Sequence, residues 1–175
     1  MNPVKLTENI YWVGAIDWNL RNFHGYLTQK GSTYNAYLVI DEKITLIDTV
    51  KEGFTGEMIE RISKITDPAK IDYIISNHSE MDHSGALPAM LKKIPGVEVI
   101  SSVNGEKLLK EHFRENWMIR TVKGGDTLNT GKYTFTFVPE PMVHWPDSMV
   151  TYLEAKKILF SNDAFGQHLA TSERF

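Results

Sequence analysis

Four metal-capable side chains fall within six positions of one short run, and they are His78, Glu80, Asp82 and His83. Imidazole nitrogens and carboxylate oxygens both bind divalent metals, and residues two positions apart in an extended loop point to the same side. His78 and Glu80 can therefore bind one metal while Asp82 and His83 bind a second one close by. Two metals about 3.5–4 Å apart form a cooperative pair.

Two further candidate ligands lie downstream, each near a predicted strand. His144 follows a strand that is broken at Pro141, and Asp163 follows the strand at 158–160. A carboxylate at the position of Asp163 is able to bridge two metals and to reduce their mutual repulsion. One run of His and carboxylate, then a distant His and a more distant Asp, is the pattern of a two-metal site.

The types of donor restrict the metal. The chain has no cysteine, which excludes disulfides, thiolate–zinc sites and iron–sulfur clusters. A mixed set of His and carboxylate suits iron, manganese or zinc. Glu80 adds a negative charge that a neutral His would lack, and this charge stabilises oxidation states that zinc does not reach. These ligands favour a redox-active di-iron site over a di-zinc site.

Three histidines lie outside these motifs. His112 and His168 are predicted to be surface or structural residues. His24, in the segment 23–26, is equally consistent with a hydrogen-bonded polar residue and with a residue of a substrate pocket.

The hydrophobic pattern predicts the scaffold that must position these ligands. Apolar, β-branched runs typical of strands cover 10–13, 34–40, 44–47, 72–75, 97–100, 133–138, 149–153 and 158–160. Apolar residues at helical spacing predict helices near 58–65, 87–94 and 108–113. Several strands are separated only by a turn, which indicates a β-rich α/β fold with hairpins. The ligand run precedes a helix for which Ser84 is the predicted N-cap.

Length and composition indicate one soluble domain. With 175 residues, of which 42% are hydrophobic and 23% charged, the chain is long enough for a real core. A net charge of −3 and no basic run argue against a nucleic-acid binder. The N-terminus lacks an apolar signal core and no stretch approaches a membrane span, so we expect a cytoplasmic protein with no membrane partner.

The order His78-x-Glu80-x-Asp82-His83, then His144, then Asp163 resembles the flavodiiron proteins, A-type flavoproteins built on a metallo-β-lactamase-like domain. Flanking segments match the same family at 11–18, 33–38, 46–49, 144–149 and 161–167. The match covers all 175 residues and is very specific. Zinc-dependent hydrolases of the superfamily carry His where this chain has Glu80.

The resemblance implies an α/β metallo-β-lactamase-like αβ/βα sandwich and assigns two sets of ligands to two iron ions. The first set consists of His78, Glu80 and His144. The second set consists of Asp82, His83 and a further His, and Asp163 would bridge the two irons. In some family members the residue that matches His83 swings off the metal.

Three other residues gain roles through the resemblance. Asp48 would support the ligand loop from behind. His24 would line the substrate pocket as a hydrogen-bond donor, and Trp145 would lie near the flavin. We therefore expect His24 to affect catalysis without binding metal.

The resemblance implies a non-haem di-iron oxidoreductase that converts nitric oxide to nitrous oxide or dioxygen to water. Electrons would come from a rubredoxin-type donor through FMN. In the family, the FMN of one subunit faces the di-iron site of another, which implies a head-to-tail homodimer or a higher oligomer. The preference between the two gases stays open, because both are reduced at the same ligands.

The family pattern continues beyond the position of Asp163, through a second half of the lactamase-like domain with one more His ligand and then a flavodoxin-like domain. We therefore expect residues 1–175, which end at Phe175, to form an incomplete di-iron domain. A remaining C-terminal segment would complete it, as a separate chain or a cleaved partner. Two alternatives are a di-zinc hydrolase, against which Glu80 argues, and a non-catalytic assembly module.

Overall fold

The computed structural model describes residues 2–173. Outside the described residues lie Met1, Arg174 and Phe175, the last of which is the expected end of the incomplete domain. The described strands are β1 Val4–Thr7, β2 Ile10–Trp12, β3 Ala15–Asp17, β4 Asn22–Phe23, β5 Tyr26–Leu27, β6 Ser32–Tyr34, β7 Tyr37–Val39, β8 Ile44–Ile47, β9 Ile71–Ser76, β10 Glu98–Ser102, β11 Ile119–Val122, β12 Thr127–Asn129, β13 Thr134–Pro139, β14 Met149–Leu153 and β15 Ile158–Phe160. The α-helices are α1 Thr55–Ser63, α2 Met81–Ser84, α3 Leu87–Lys93 and α4 Val103–Phe113. Short 3₁₀ turns cover Glu52–Phe54, Pro68–Lys70 and Glu154–Lys156.

The larger sheet has seven strands in the order β1-β2-β7-β8-β9-β10-β11. Strands β8 to β11 run parallel to one another, whereas β1, β2, β7 and β8 pair antiparallel. Parallel neighbours need a crossover connection, and α1, α3 and α4 lie in these crossovers. The carboxyl ends of β8, β9 and β10 therefore meet at one edge of the sheet, and the ligand run follows β9 there.

The smaller sheet is antiparallel, with the order β12-β13-β14-β15. Phe135 and Phe137 of β13 are fully buried and alternate with more exposed residues, as the sequence pattern predicts. They pack between the two sheets against residues of the larger sheet such as Ile47, Ile75 and Ile100. This core fixes the two sheets face to face.

The helices cover the opposite face of the larger sheet. Met58 and Ile62 of α1, Leu87 of α3 and Leu109 of α4 pack there against strand residues such as Ile74. The described residues thus form layers of helix, sheet and sheet, and the predicted β-rich α/β class is confirmed. None of the helices in the described range combines the length and apolar character needed to span a membrane.

Three details of the predicted elements are wrong. The single strand over 34–40 is two strands, because β6 pairs with β3 in a small separate sheet and β7 pairs with β2 in the larger one. Between them, Asn35 and Ala36 accept hydrogen bonds from Trp12 and Val13. Ser84 is not an N-cap: it ends α2, and its hydroxyl donates to the carbonyls of the preceding turn. The helix predicted over 58–65 already ends at Ser63.

Candidate metal centre

The ligand run is half loop and half helix. His78 and Glu80 lie in the loop after β9, whereas Asp82 and His83 belong to the single turn of α2. The extended-loop expectation therefore applies only as far as Glu80, and the helical turn aims Asp82 and His83. All four side chains are buried, with residue exposures between 1% and 7%.

One group of potential ligands gathers around Glu80. Glu80 Oε2 lies 3.2 Å from His78 Nε2 and 3.4 Å from His144 Nε2. Asp163 Oδ2 completes the group, at 3.7 Å from His78 Nε2 and 3.5 Å from His144 Nε2. One atom from each of these four residues lies within 4.8 Å of the others, a spacing suited to one metal ion.

A second group shares Asp163 with the first. The other carboxylate oxygen, Asp163 Oδ1, lies 2.8 Å from His83 Nε2, which is also 3.3 Å from Asp82 Oδ2. These three residues again bring one atom each within 4.8 Å. The structure therefore brings all six predicted ligands into two adjoining groups.

The carboxylates make both groups favourable for positive charge. Burial opposes a charge on His78, but hydrogen bonds with Asp147 and Glu80 outweigh burial and raise the pKa of His78 to about 10. Burial likewise opposes a charge on His83, and its hydrogen bond with Asp163 raises the pKa to about 9. The pKa of Asp82 is itself raised, chiefly by burial. A metal cation would take over the charge that protons supply, so metal binding must release protons.

The donor set fits a pair of iron ions. Three imidazoles and three carboxylates converge without any thiolate, a mixture that suits iron. Asp82 Oδ1 is buried and finds no hydrogen-bond partner among the described residues. Because an unpaired buried carboxylate oxygen is costly, a coordinated cation is a natural partner for it.

Asp48 lies behind the site and ties two of its loops together. Its carboxylate accepts hydrogen bonds from Asn77 N at 2.7 Å, Asn77 Nδ2 at 3.0 Å and Asn162 Nδ2 at 3.2 Å. Asn77 precedes His78, and Asn162 precedes Asp163. Asp48 and Asn162 both adopt left-handed backbone conformations, with φ of 56° and 54°. Such strain persists where surrounding contacts hold it, as these hydrogen bonds do.

Asp147 is a supporting residue to which the sequence analysis gives no role. It is buried, and its carboxylate contacts His78 Nδ1 at 3.1 and 3.2 Å. It also accepts a hydrogen bond from Ser79 N at 2.6 Å. A ligating His usually donates its other ring N–H to a carboxylate, but the 69 positions between His78 and Asp147 gave the sequence no signal for this pairing.

His24 and Trp145 both line the cavity of about 880 Å³ that opens onto the metal groups. His24 and Gly25 form the two-residue turn between β4 and β5, with positive φ at both positions, as a tight hairpin requires. This turn brings His24 Nε2 to 2.7 Å from Glu80 Oε1. The Trp145 ring stands edge-on to His78, with centroids 5.1 Å apart.

His112 and His168 stay outside both metal groups, as predicted. His112 Nδ1 lies 3.2 Å from the carbonyl oxygen of Ser79, and its ring also contacts Trp145. His168 Nδ1 lies 3.0 Å from Ser32 Oγ at the cavity wall. Both are structural contacts that tie neighbouring segments to the site.

Comparisons with known proteins match both the sequence and this geometry. A protein-family profile described as "ODP family beta lactamase" matches residues 33–175. The chain is 48% identical over 176 residues to a nitric oxide reductase from Moorella thermoacetica, covering 99% of this chain and 44% of that protein. It therefore spans less than half the length of that relative.

Solved structures give the same result. Rubredoxin oxygen:oxidoreductase from Desulfovibrio gigas superposes with a TM-score of 0.96 at 48% identity, covering 99% of this chain and 44% of that chain. The flavodiiron protein from Giardia intestinalis superposes with a TM-score of 0.92 at 41% identity, covering 100% of this chain and 43% of that chain. The similarity extends over the whole site described above.

Proposed function

The chain belongs to the ODP family of β-lactamase-like domains, the metallo-β-lactamase-like part of flavodiiron proteins, and from this we propose that it holds the centre of a non-haem di-iron reductase. Its reaction would be the reduction of nitric oxide to nitrous oxide, of dioxygen to water, or of both. The relatives named nitric oxide reductase and rubredoxin oxygen:oxidoreductase support both substrates.

One observation carries the proposal: Asp163 directs one carboxylate oxygen to each metal group. A shared carboxylate holds two cations at a short separation and reduces their repulsion. His78, Glu80 and His144 would hold one iron, and Asp82 with His83 would hold the other. The two irons, when bound, supply the electrons and open positions at which a diatomic gas is reduced.

Glu80 separates this reductase from the di-zinc hydrolase. Its negative charge lies inside the first metal group. There it stabilises the higher oxidation states that iron reaches and zinc does not. Its other oxygen is held by His24, which leaves Oε2 to face the metal position. A neutral His24 has one ring N–H, so it would orient Glu80 while that N–H donates to Oε1 and would donate to a substrate in the cavity only after this contact opens.

We further propose the partners that a flavin-linked reductase needs. Trp145 forms the cavity wall next to His78, and an FMN from a neighbouring subunit would approach on this side. A head-to-tail homodimer would provide that FMN, a rubredoxin-type protein would reduce it, and residues beyond this chain would add a further His to the second group. The cytoplasmic location stays a prediction.

Metal analysis of the purified full-length protein tests the proposal. We expect about two irons per chain and reduction of nitric oxide or dioxygen with a suitable donor. Glu80→His should shift the metal content towards zinc and abolish the reduction. Glu106→His, which changes a Lys110-paired residue of α4, is the matched control and should leave both unchanged. Zinc at full occupancy without iron, in cells grown with iron, would overturn the proposal.

A further inference from the structure

Asp147 lies on the far side of His78 from the metal groups. Its side chain has no exposed surface, and its two oxygens lie 3.1 and 3.2 Å from His78 Nδ1. The other ring nitrogen, Nε2, faces Glu80 and Asp163. Asp147 therefore touches the His78 ring without touching the position of the metal.

We infer that Asp147 is a positioning residue that selects Nε2 of His78 as the metal-binding atom. A neutral imidazole carries one proton, and the nitrogen without that proton is the one that binds metal. An ionised carboxylate has no proton to donate, so it accepts the proton of Nδ1–H and leaves the lone pair on Nε2. This inference rests on the proposed function, because it concerns the metal of the first group.

The carboxylate is itself held rigidly. Ser79 N donates to Asp147 Oδ2 at 2.6 Å, and Ser102 Oγ donates to the Asp147 carbonyl at 2.9 Å. The Ser102 hydroxyl also caps α4 by accepting from Gly105 N at 3.0 Å. Asn104 Nδ2 adds a hydrogen bond to the Pro146 carbonyl at 2.8 Å. The first turn of α4 thus fixes Asp147, and Asp147 fixes His78.

The second metal group lacks such a device within the described residues. His83 Nδ1 is buried there and has no hydrogen-bond partner. A loss of Asp147 should therefore weaken metal binding at the first group and spare the intrinsic affinity of the second.

Asp147→Asn would reverse the selection of Nε2 as the metal-binding atom of His78. Ser79 N is a fixed donor, so the amide oxygen must turn towards it, and the amide NH₂ then faces His78 Nδ1. Two donors cannot pair, so His78 is forced into the tautomer with its proton on Nε2. That form is unable to bind metal through Nε2. Asp147→Ala leaves room in which water can accept the Nδ1 proton, so it should be the milder change.

The test compares Asp147→Asn, Asp147→Ala and the surface control Asp126→Asn in the full-length protein. Metal affinity of each group is measured by competition with a chelator, and ¹⁵N NMR of labelled histidine in the protein loaded with diamagnetic zinc reports which His78 nitrogen binds the metal and which carries the proton. We expect Asp147→Asn to weaken the first group by about 10–100-fold, with Asp147→Ala less affected and Asp126→Asn like the wild type.

Three results would overturn the inference. They are an Asp147→Asn affinity equal to the wild type, an Asp147→Ala variant that binds more weakly than Asp147→Asn, and zinc bound at Nδ1 of His78 in the wild type. A merely structural role would make the truncation worse than the isosteric amide, so the order of the two variants distinguishes the roles. If the wild type took up no iron, the proposed function would fail separately, and the NMR of His78 in the zinc-loaded protein would still decide this inference.

Discussion

The two metal groups of this site are held in place by different means. In the first group, the His78 ring is fixed from behind by the buried carboxylate of Asp147. In the second group, the chain is fixed through the His83 carbonyl, which accepts from Thr49 N and Thr49 Oγ1, both at 2.8 Å. The Nδ1 atom of the His83 ring has no partner among the described residues.

This difference separates orientation of a side chain from orientation of the backbone. A ring held at its far nitrogen keeps that contact when metal binds at the other nitrogen, whereas a ring without a partner at its far nitrogen is ordered only by the groups on its metal side. We therefore expect the first group to bind iron more tightly than the second. The predictions below test this ranking, from the largest expected effect to the smallest.

Loss of the shared ligand should remove the distinction between the groups. Asp163→Ala deletes the carboxylate that contacts His83 on one side and approaches His144 on the other. The affinity of both groups for metal should fall by more than about 100-fold, which is the upper end of the effect of losing a residue that contacts a ligand but not the metal. Iron content and chelator competition measure this effect, with Asp126→Ala as the control. Full retention of either metal would show that Asp163 does not bridge.

Removal of one ligand from each group should separate them. In His83→Ala the second metal should be lost while the first stays, because His83 Nε2 contacts the Asp82 and Asp163 carboxylates, which form the second group with it. In His78→Ala the first metal should be lost. Metal-to-protein ratios in the two variants measure this effect. Loss of both metals in His83→Ala would mean that the groups form one cooperative unit, contrary to the ranking.

Asp48 should affect both groups by a smaller amount. Asp48→Asn weakens the hydrogen bonds from Asn77 and Asn162. Asn77 directly precedes His78 of the first group, and Asn162 directly precedes the bridging Asp163. We expect metal affinity to fall about 10–100-fold at both groups, as is usual when an outer-sphere partner is removed. Competition with a chelator measures the metal affinity of each group. A loss confined to one group would indicate that Asp48 supports only one of the two loops.

His24 should have the smallest effect on metal binding. Its side chain is 60% exposed, and its hydrogen bond orients Glu80 without contributing a ligand. In His24→Asn iron affinity should fall by about tenfold at most, since one hydrogen bond contributes roughly 0.5–1.5 kcal/mol. Turnover with nitric oxide or dioxygen should change more than iron content does. An iron-free His24→Asn protein that is otherwise folded would make His24 a ligand.

Local patterns predicted much of the fold. The apolar, β-branched run over 133–138 located β13, and helical spacing of apolar residues located α1, α3 and α4. The short strands β3 to β5, at two or three residues each, were not predicted, because so few residues give no periodic signal. The run over 34–40 was read as one strand because its division depends on the separate partners β3 and β2, which lie far away in sequence.

The sequence by itself determined which residue types are available for chemistry. They are the three His and three carboxylates of the predicted ligand set, the absence of cysteine, and Glu80, whose charge disfavours zinc. Spacing along the chain was enough to pair His78 with Glu80 and Asp82 with His83, because those pairs are local. The sequence predicted Asp163 as a bridging residue, but only the tertiary structure brought one of its oxygens to each group and placed Asp147 behind His78. The contacts of His78 with Asp147, of His83 with Asp163 and of His78 with Asp163 join residues 69, 80 and 85 positions apart along the chain, and it is the packing of the two sheets that sets their distances.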